Sequence, residues 1–484
     1  MRIRPAPTLS LIGSAALVAG LAALLGDEGI PLGVPGEWEW SRLAGGIEPV
    51  AVDVALAAVG LGLYAGFAAV GRRALGRGRV SRWRESAWVA GLVAAGALAQ
   101  VAAMAAAPPG YGLAKAITLA MSGSSGYYRV AREEMADPMA FLRDYPRWIR
   151  GQDVYHIGTH PPGLFVASRA ALGLMDAAPG VARAVDSATP RGVADAFRQI
   201  VGPMPRADRA ALVLVAALTL LACAATSAPI YLMLRGSGAD PATSWSSAAL
   251  WPLVPSAILF QPTADAAFPL LAASGVALAS RRGAASAAAA GAVLAVGMAC
   301  SLVFLAVGLV VGLLLATSPG EPIRRRASLI LLTGAGFLAP TLLGWAITGA
   351  NPFLVWWANQ ANHSGFYATH PRSYLPWLAA NPAELLVGLG LPASVWAAVA
   401  MATGRAPRAS WLTLAVLAIL TLSGRNLSEV ARLWLPFFPM LLAAAGPGQA
   451  RLGGGATTLA MTVALMAAQV VAMELAIQVV YPVP

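Results

Sequence analysis

The chain carries four histidines, His156, His160, His363 and His370, in two regions about two hundred residues apart. Two of them sit in look-alike phrases, Gly158-Thr159-His160-Pro161-Pro162-Gly163 and Ala368-Thr369-His370-Pro371. Imidazole titrates nearest neutral pH, so these side chains suit proton transfer or metal ligation. Two prolines after His160 stiffen the turn and hold the histidine extended before them. A proline-capped helix entry needs no histidine, which makes His160 a candidate acid–base group. His156 and His160 are four apart, a metal-binding spacing on a helix, but Pro161 interrupts such a helix and no cysteine is near. No metal site is therefore expected, and a divalent cation is an open accessory.

The densest polar stretch lies just before them. Ser122-Gly-Ser-Ser-Gly-Tyr127-Tyr128-Arg129-Val-Ala-Arg132-Glu133-Glu134 is followed by Asp137, Arg143, Asp144, Arg147 and Arg150. Glu133, Glu134 and Asp137 are candidate general bases, since a base is a carboxylate placed near the proton it removes. Arg129 and Arg150 are candidate phosphate clamps, because a guanidinium fork matches phosphate oxygens. The plainer alternative is an amphipathic helix whose charges face water. Further along, Asp265, Glu429 and Arg432 each fall near the end of an apolar run, where a buried charge needs a partner. Glu429 and Arg432 are three apart and can pair on one helical face. Asn362 and His363 sit among Trp356, Trp357, Tyr374 and Trp377, which is either a membrane-anchoring aromatic belt or a sugar-binding surface.

These groups are embedded in a very apolar chain. At 58% hydrophobic and 11% charged over 484 residues, it is an all-α polytopic membrane protein and not a soluble one. Nucleic acid is excluded as the reason for the net charge of +11, because the arginines collect in short loops as the positive-inside rule expects. Lys115 is the only lysine, and arginine use with abundant alanine and glycine fits a GC-rich bacterial genome. Cys223 and Cys300 lie inside apolar segments and read as core residues.

A first apolar run, about 9–25, follows Arg2 and Arg4, lacks a cleavage site and reads as a retained helix. A second, about 50–70, ends in Arg72, Arg73, Arg77, Arg79, Arg82 and Arg84, which places that loop in the cytoplasm. Residues 1–86 form an N-terminal hairpin with this basic loop, and 87–484 form the main transmembrane domain. Within it, 108–209 is a large outer loop with a short interfacial helix at 164–175, too short to span and carrying Arg169. Apolar runs at 210–234, 244–260, 264–280, 284–300, 302–317, 327–348, 383–402, 410–423, 432–447 and 456–476 bring the expectation to about thirteen spans, the N-terminus inside and the C-terminus outside. The 284–317 run also fits a shallow hairpin. All four histidines then face the extracytoplasmic side of a bacterial inner membrane.

In that order, the Tyr127-Tyr128-x-x-Ala-Arg132-Glu133 helix, Pro161-Pro162, Pro262-Thr-Ala-Asp265 and Glu429-x-x-Arg432-x-Trp434 resemble the C-type (GT-C) membrane glycosyltransferases. The aminoarabinose and protein O-mannosyl transferases belong to that superfamily. The likeness covers roughly residues 87 to 440 and leaves the first hairpin as an addition. It implies transfer of a sugar from a polyprenyl-phosphate donor to a glycan, lipid or protein acceptor. A base activates the acceptor hydroxyl and an arginine, Arg432, holds the lipid phosphate. It also implies Tyr127, Tyr128, Arg129, Arg150, Asp265, Asn362, His363, Glu429 and Arg432 as substrate-binding residues. One departure stands out: the family carries an Asp just before the Tyr-Tyr helix, where this chain has Ser124-Ser125-Gly126. Asp137, Glu133, Glu134, Asp265, Glu429, and the first-loop groups Asp27-Glu28 and Glu37-Trp38-Glu39-Trp40 are the available replacements. A transporter or lipid flippase, and an inactive relative serving as scaffold, are the alternative readings.

Overall fold

Three helices begin with the same two-residue device. Asp137-Pro138, Asp240-Pro241 and Asn351-Pro352 each place an N-capping side chain before a proline, whose missing N–H costs nothing in a first turn. The caps accept hydrogen bonds from Met139 and Ala140, from Thr243, and from Phe353 and Leu354, at 2.9–3.3 Å. They open the helices Pro138–Trp148, Pro241–Ala248 and Pro352–Thr369.

The computed structural model describes residues 5–43, 48–78 and 80–480. Arg2, Arg4, Arg79 and the C-terminal stub at 481–484 lie outside the described residues. Helices dominate the chain, and what strand there is consists of two-residue pieces. Gly33–Val34 pairs with Trp38–Glu39, and Ser41–Arg42 pairs antiparallel with Ile477–Gln478 near the C-terminus. Among the described residues six helices are long and apolar enough to cross a membrane: 7–26, 51–75, 82–105, 206–236, 323–348 and 456–476. Two bent helix pairs, 163–188 and 374–402, raise that to eight if each is one span. Large apolar side chains such as Leu63, Leu98, Leu331 and Leu343 point outward from these helices, as a lipid-facing surface requires.

The apolar runs expected at 244–260 and 432–447 are not continuous helices. The first breaks into Pro241–Ala248, a 3-10 turn Trp251–Leu253 and Pro255–Leu259. The second breaks into Val430–Leu433, Leu435–Phe437, Phe438–Leu442 and Ala445–Arg451. Pro252, Pro255, Pro436 and Pro439 lack the N–H a continuing helix needs. Irregular backbone is tolerated at such depth only when protein covers it, and Trp251, Leu253, Phe437 and Phe438 are all fully buried. Buried tryptophans spend their N–H groups on this core: Trp245 donates to the carbonyl of Ala68 at 2.8 Å and Trp251 to that of Cys223 at 2.6 Å. Gly71 is required beside Trp245, since a Cβ there would lie 2.1 Å from the indole ring.

The short turns sort into two ends of the bundle. At one end Arg72 donates to the carbonyls of Ala242 and Gly454, Arg235 pairs with Glu85 at 3.1 Å, Arg325 reaches the carbonyl of Arg282, and Arg408 reaches Thr317. At the other end lies the 106–205 region, expected as a loop with one interfacial helix. It is a helical cap with its own apolar core around Tyr145, Phe165 and Met175. The helix at 163–177 is longer than the expected 164–175 and bends by 107° into 179–188, while Arg169 donates to the Met135 carbonyl at 3.0 Å. The 284–317 run is a hairpin of two helices, Ala284–Met298 and Val303–Ala316.

One buried ion pair ties the cap to the bundle. Lys115 Nζ lies 3.4 Å from Glu474 Oε1 and 3.1 Å from the Leu259 carbonyl, with both charged side chains 3% exposed. Removing one partner strands the other charge, which typically costs about 3–5 kcal/mol, whereas an apolar pair of similar volume is close to neutral. Glu474→Leu should therefore lower the thermal midpoint in detergent sharply, and Lys115→Met with Glu474→Leu should recover most of the loss. A double variant as unstable as the single one would count against this assignment.

Candidate functional site

Where the helical cap meets the bundle, a cavity of about 600 Å³ opens. His156, His160, His363, Asp265, Glu429 and Arg432 all line it, so residues separated by up to 276 positions (432 − 156) share one wall. The histidine phrase reaches this position through its glycines. A Cβ on Gly158 would lie 1.8 Å from the Asp153 carbonyl, and one on Gly163 would lie 2.5 Å from that of Ala299. Gly163 also donates its N–H to Ala299 at 2.7 Å, docking the phrase on the turn between two helices of the bundle. Asn359 donates to the carbonyls of Gly158 and His160 at 2.9 and 3.0 Å, and Tyr145 donates its hydroxyl to the His160 carbonyl at 2.6 Å.

His160 Nδ1 lies 2.9 Å from the carbonyl of His156. A carbonyl only accepts, so Nδ1 carries the proton and Nε2 keeps a lone pair. The ring stands edge-on to Tyr127, centroids 5.7 Å apart. Burial holds His160 below the ordinary imidazole value, against the pull of Asp265. Burial, then Arg432 and His160, pushes His156 down to about 3. His363 is lowered by burial, His160 and Arg425. Burial and Asp265 drive the Tyr127 phenol well above its usual range.

Arg432 is bracketed by two carboxylates. Its guanidinium lies 3.6 Å from Asp265 Oδ2, and its Nε donates to Glu429 Oε2 at 3.0 Å. The pair does not form on one helical turn, because Glu429 is the N-cap of a four-residue helix and has a left-handed φ of 53°. Ser428 is left-handed too, at 77°. Two non-glycine residues in that region hold strain that surrounding contacts must pin. Tyr367 bonds to both ends of Leu427, Arg372 donates to Ser428 at 3.2 Å, and Glu384 accepts from the Ala431 N–H at 3.1 Å.

Other candidates are engaged away from the cavity. Asp137 caps a helix; Glu133 and Arg129 pair with each other at 3.0 Å in the open; Glu134 accepts from the Trp148 indole at 2.7 Å. Tyr128 donates to Asp208, which also binds Arg132. Arg150 is exposed, and Asn362 donates to the carbonyls of Ile149 and Gly158 at 2.8 and 3.0 Å, so its amide shapes the histidine loop. Among the described residues no three His, Cys, Asp or Glu groups come together as a metal site.

Sequence reasoning missed Arg425, which lines the cavity and has no ion-pair partner among the described residues. A signal was available: it stands four residues before Glu429 and seven before Arg432, in the same polar turn. The family likeness left the first hairpin as an addition and named Glu37-Trp38-Glu39-Trp40 only as replacement bases; Trp38, Glu39, Trp40 and Ser41 are on the cavity wall, while Glu37 is bound to Ser373 and Trp377.

The histidines give a stability prediction. Each of the three is harder to protonate folded than unfolded, so the unfolded chain binds more protons and stability rises with pH. Their contribution is complete above the unfolded value of 6.5 and is lost as pH falls, for His156 down to about 3. The thermal midpoint in detergent should decline between about pH 6.5 and pH 5, before most carboxylates titrate. His156→Asn should flatten that decline; an unchanged slope would show that His156 is not the responsive group. No family model, curated protein or solved structure matches this chain.

Proposed function

We propose that this protein is an integral-membrane glycosyltransferase that takes a sugar from a polyprenyl-phosphate donor. The observation carrying this reading is the two-sided character of the cavity. Histidines, carboxylates and arginines line one part, while Leu302, Val303, Leu305 and Ala306 line another. Leu305 is 58% exposed, and on this reading the apolar flank opens toward lipid. A ligand with a charged head and a long hydrocarbon tail fits that combination. On this reading the chain crosses the membrane thirteen times, the arginine-rich turns face the cytoplasm, and the cavity faces outward from a bacterial inner membrane.

His160 is the base. Its Nε2 lone pair takes the proton of an acceptor hydroxyl as the hydroxyl oxygen bonds to the anomeric carbon. The bond from that carbon to the phosphate oxygen breaks, and the electron pair leaves with the polyprenyl phosphate. Asp265 stabilises the imidazolium that forms. Arg432, already shared by two carboxylates, orients Asp265 and Glu429, while Arg425 has its charge free for the departing phosphate. The family's missing Asp before Tyr127 is thus answered from the histidine phrase.

The broken crossings at 241–260 and 430–451 favour one second reading, a lipid transporter, since transporters place binding groups on discontinuous helices. Native mass spectrometry of the detergent-purified protein with added undecaprenyl phosphate separates the two. Retention of the lipid phosphate is expected, with Arg425→Ala weakening it by about tenfold, the loss of one charge-assisted contact. His160→Gln should keep the lipid and lose transfer. Ordinary phospholipid alone would move the transporter to the front, and lipid retained without turnover across sugar donors would indicate a scaffold.

A further inference from the structure

The segment Gly33–Arg42 is a strap laid over the cavity, and most of its polar groups are spent on anchoring. Arg42 donates to the carbonyls of Leu24, Leu25, Asp27 and Ile30 at 2.6–3.1 Å. Glu37 accepts from the Ser373 N–H at 2.9 Å and from the Trp377 indole at 2.6 Å, and these contacts hold its carboxyl below the ordinary range. Trp40 donates to Glu384 at 3.3 Å. Backbone pairing of Ser41 with Gln478 and Arg42 with Ile477 fixes the far end.

Three side chains are left over. The Trp38 indole N–H, the Glu39 carboxylate and the Ser41 hydroxyl make no hydrogen bond to the protein among the described residues, and all three line the cavity. The Trp38 ring is braced by Trp40 at 6.4 Å and by Trp377 at 6.2 Å, so its orientation is fixed. A braced indole supplies a flat apolar face; a free carboxylate and hydroxyl on the same strap supply acceptors and a donor for hydroxyl groups. That is the surface a pyranose ring needs, with apolar C–H groups on one face and hydroxyls around its rim.

We propose that Trp38, Glu39 and Ser41 form a carbohydrate-binding subsite, in which a pyranose ring stacks on Trp38 and its hydroxyls bond to Glu39 and Ser41. This names where the sugar sits, and it rests on the glycosyltransferase reading above. The residues come from the hairpin that the family likeness leaves out, so the subsite is a property of this chain.

The test uses the full-length protein in detergent and the methyl glycosides of glucose, mannose and galactose, read by saturation-transfer NMR. At least one glycoside should receive saturation on its ring protons. Trp38→Ala should weaken that binding by about tenfold, Glu39→Gln should weaken it less, and Trp38→Phe, which keeps an aromatic face, should restore most of it. Glu39→Gln and Trp38→Phe should melt near the wild-type temperature, because the hydrogen bonds of Arg42, Glu37 and Trp40 are kept; Trp38→Ala also gives up ring contacts with Trp40 and Trp377, which is why recovery in Trp38→Phe is required. No saturation of any glycoside by the wild type, or equal saturation by Trp38→Ala, overturns the subsite. Undecaprenyl phosphate retention, measured separately, reports on the donor reading: its absence with Trp38-dependent glycoside binding would leave the subsite standing and remove the lipid donor.

Discussion

Placing a guanidinium at the head of a broken helix inside an apolar bundle obliges the surrounding chain to supply negative charge, and Arg432 has two carboxylates doing so. An unpaired charge at that depth would cost several kcal/mol, so Asp265, at the entry of the helix Phe268–Ser280, and Glu429, at the start of a broken run, are drawn to the same point. Two carboxylates around one guanidinium leave a net negative charge, which the neutral histidines cannot offset. Free positive charge must come from outside the bracket, and Arg425 at the cavity mouth supplies it. The polarity of the cavity wall follows from this: two carboxylates around Arg432, a guanidinium without an ion-pair partner at Arg425, and an apolar stretch at 302–306.

The bracket also explains the strained backbone. Glu429 reaches Arg432 only because residues 428 and 429 turn through left-handed conformations, and that turn persists because Tyr367, Arg372 and Glu384 hold its N–H, carbonyl and hydroxyl groups. Glu384 in turn accepts from Trp40, so the first outer loop is connected to the Arg432 loop through one carboxyl group. The strap, the strained turn and the ion bracket are thus a single hydrogen-bonded unit.

Much of the helical framework was legible because hydropathy and arginine placement report on the solvent each residue meets. The arginines of the turns after residues 75, 236, 280 and 402 gather at one end of the bundle, as their positions in sequence imply. What composition could not separate was a continuous apolar helix from a broken one: Pro252, Pro255, Pro436 and Pro439 were visible, but burial by neighbouring helices decides whether a break is tolerated. In the site, His160, His363, Asp265, Glu429 and Arg432 share a cavity, whereas Glu133, Glu134, Asp137 and Tyr128 are committed to local partners. A sequence displays a charge without its partner, so an N-capping aspartate and a catalytic one look alike until the neighbouring N–H groups are placed.

The first hairpin shows the same limit from the other direction. Nothing in the spacing of Glu37-Trp38-Glu39-Trp40 relates it to residues more than three hundred positions away, yet Ser373, Trp377, Glu384 and the strand at 477–478 fix its position. The two chain ends close over the cavity as a paired ribbon, with the described part of the first loop supplying one strand and the segment after the last long helix the other. Such a closure narrows the entrance on that wall, while Leu302, Val303, Leu305 and Ala306 give the cavity an apolar wall elsewhere. Under the proposed function, a water-soluble acceptor and a lipid-borne donor would approach the same histidine by different routes, one past the strap and one between helices. That separation would keep the anomeric carbon away from bulk water, the nucleophile that otherwise competes with the acceptor.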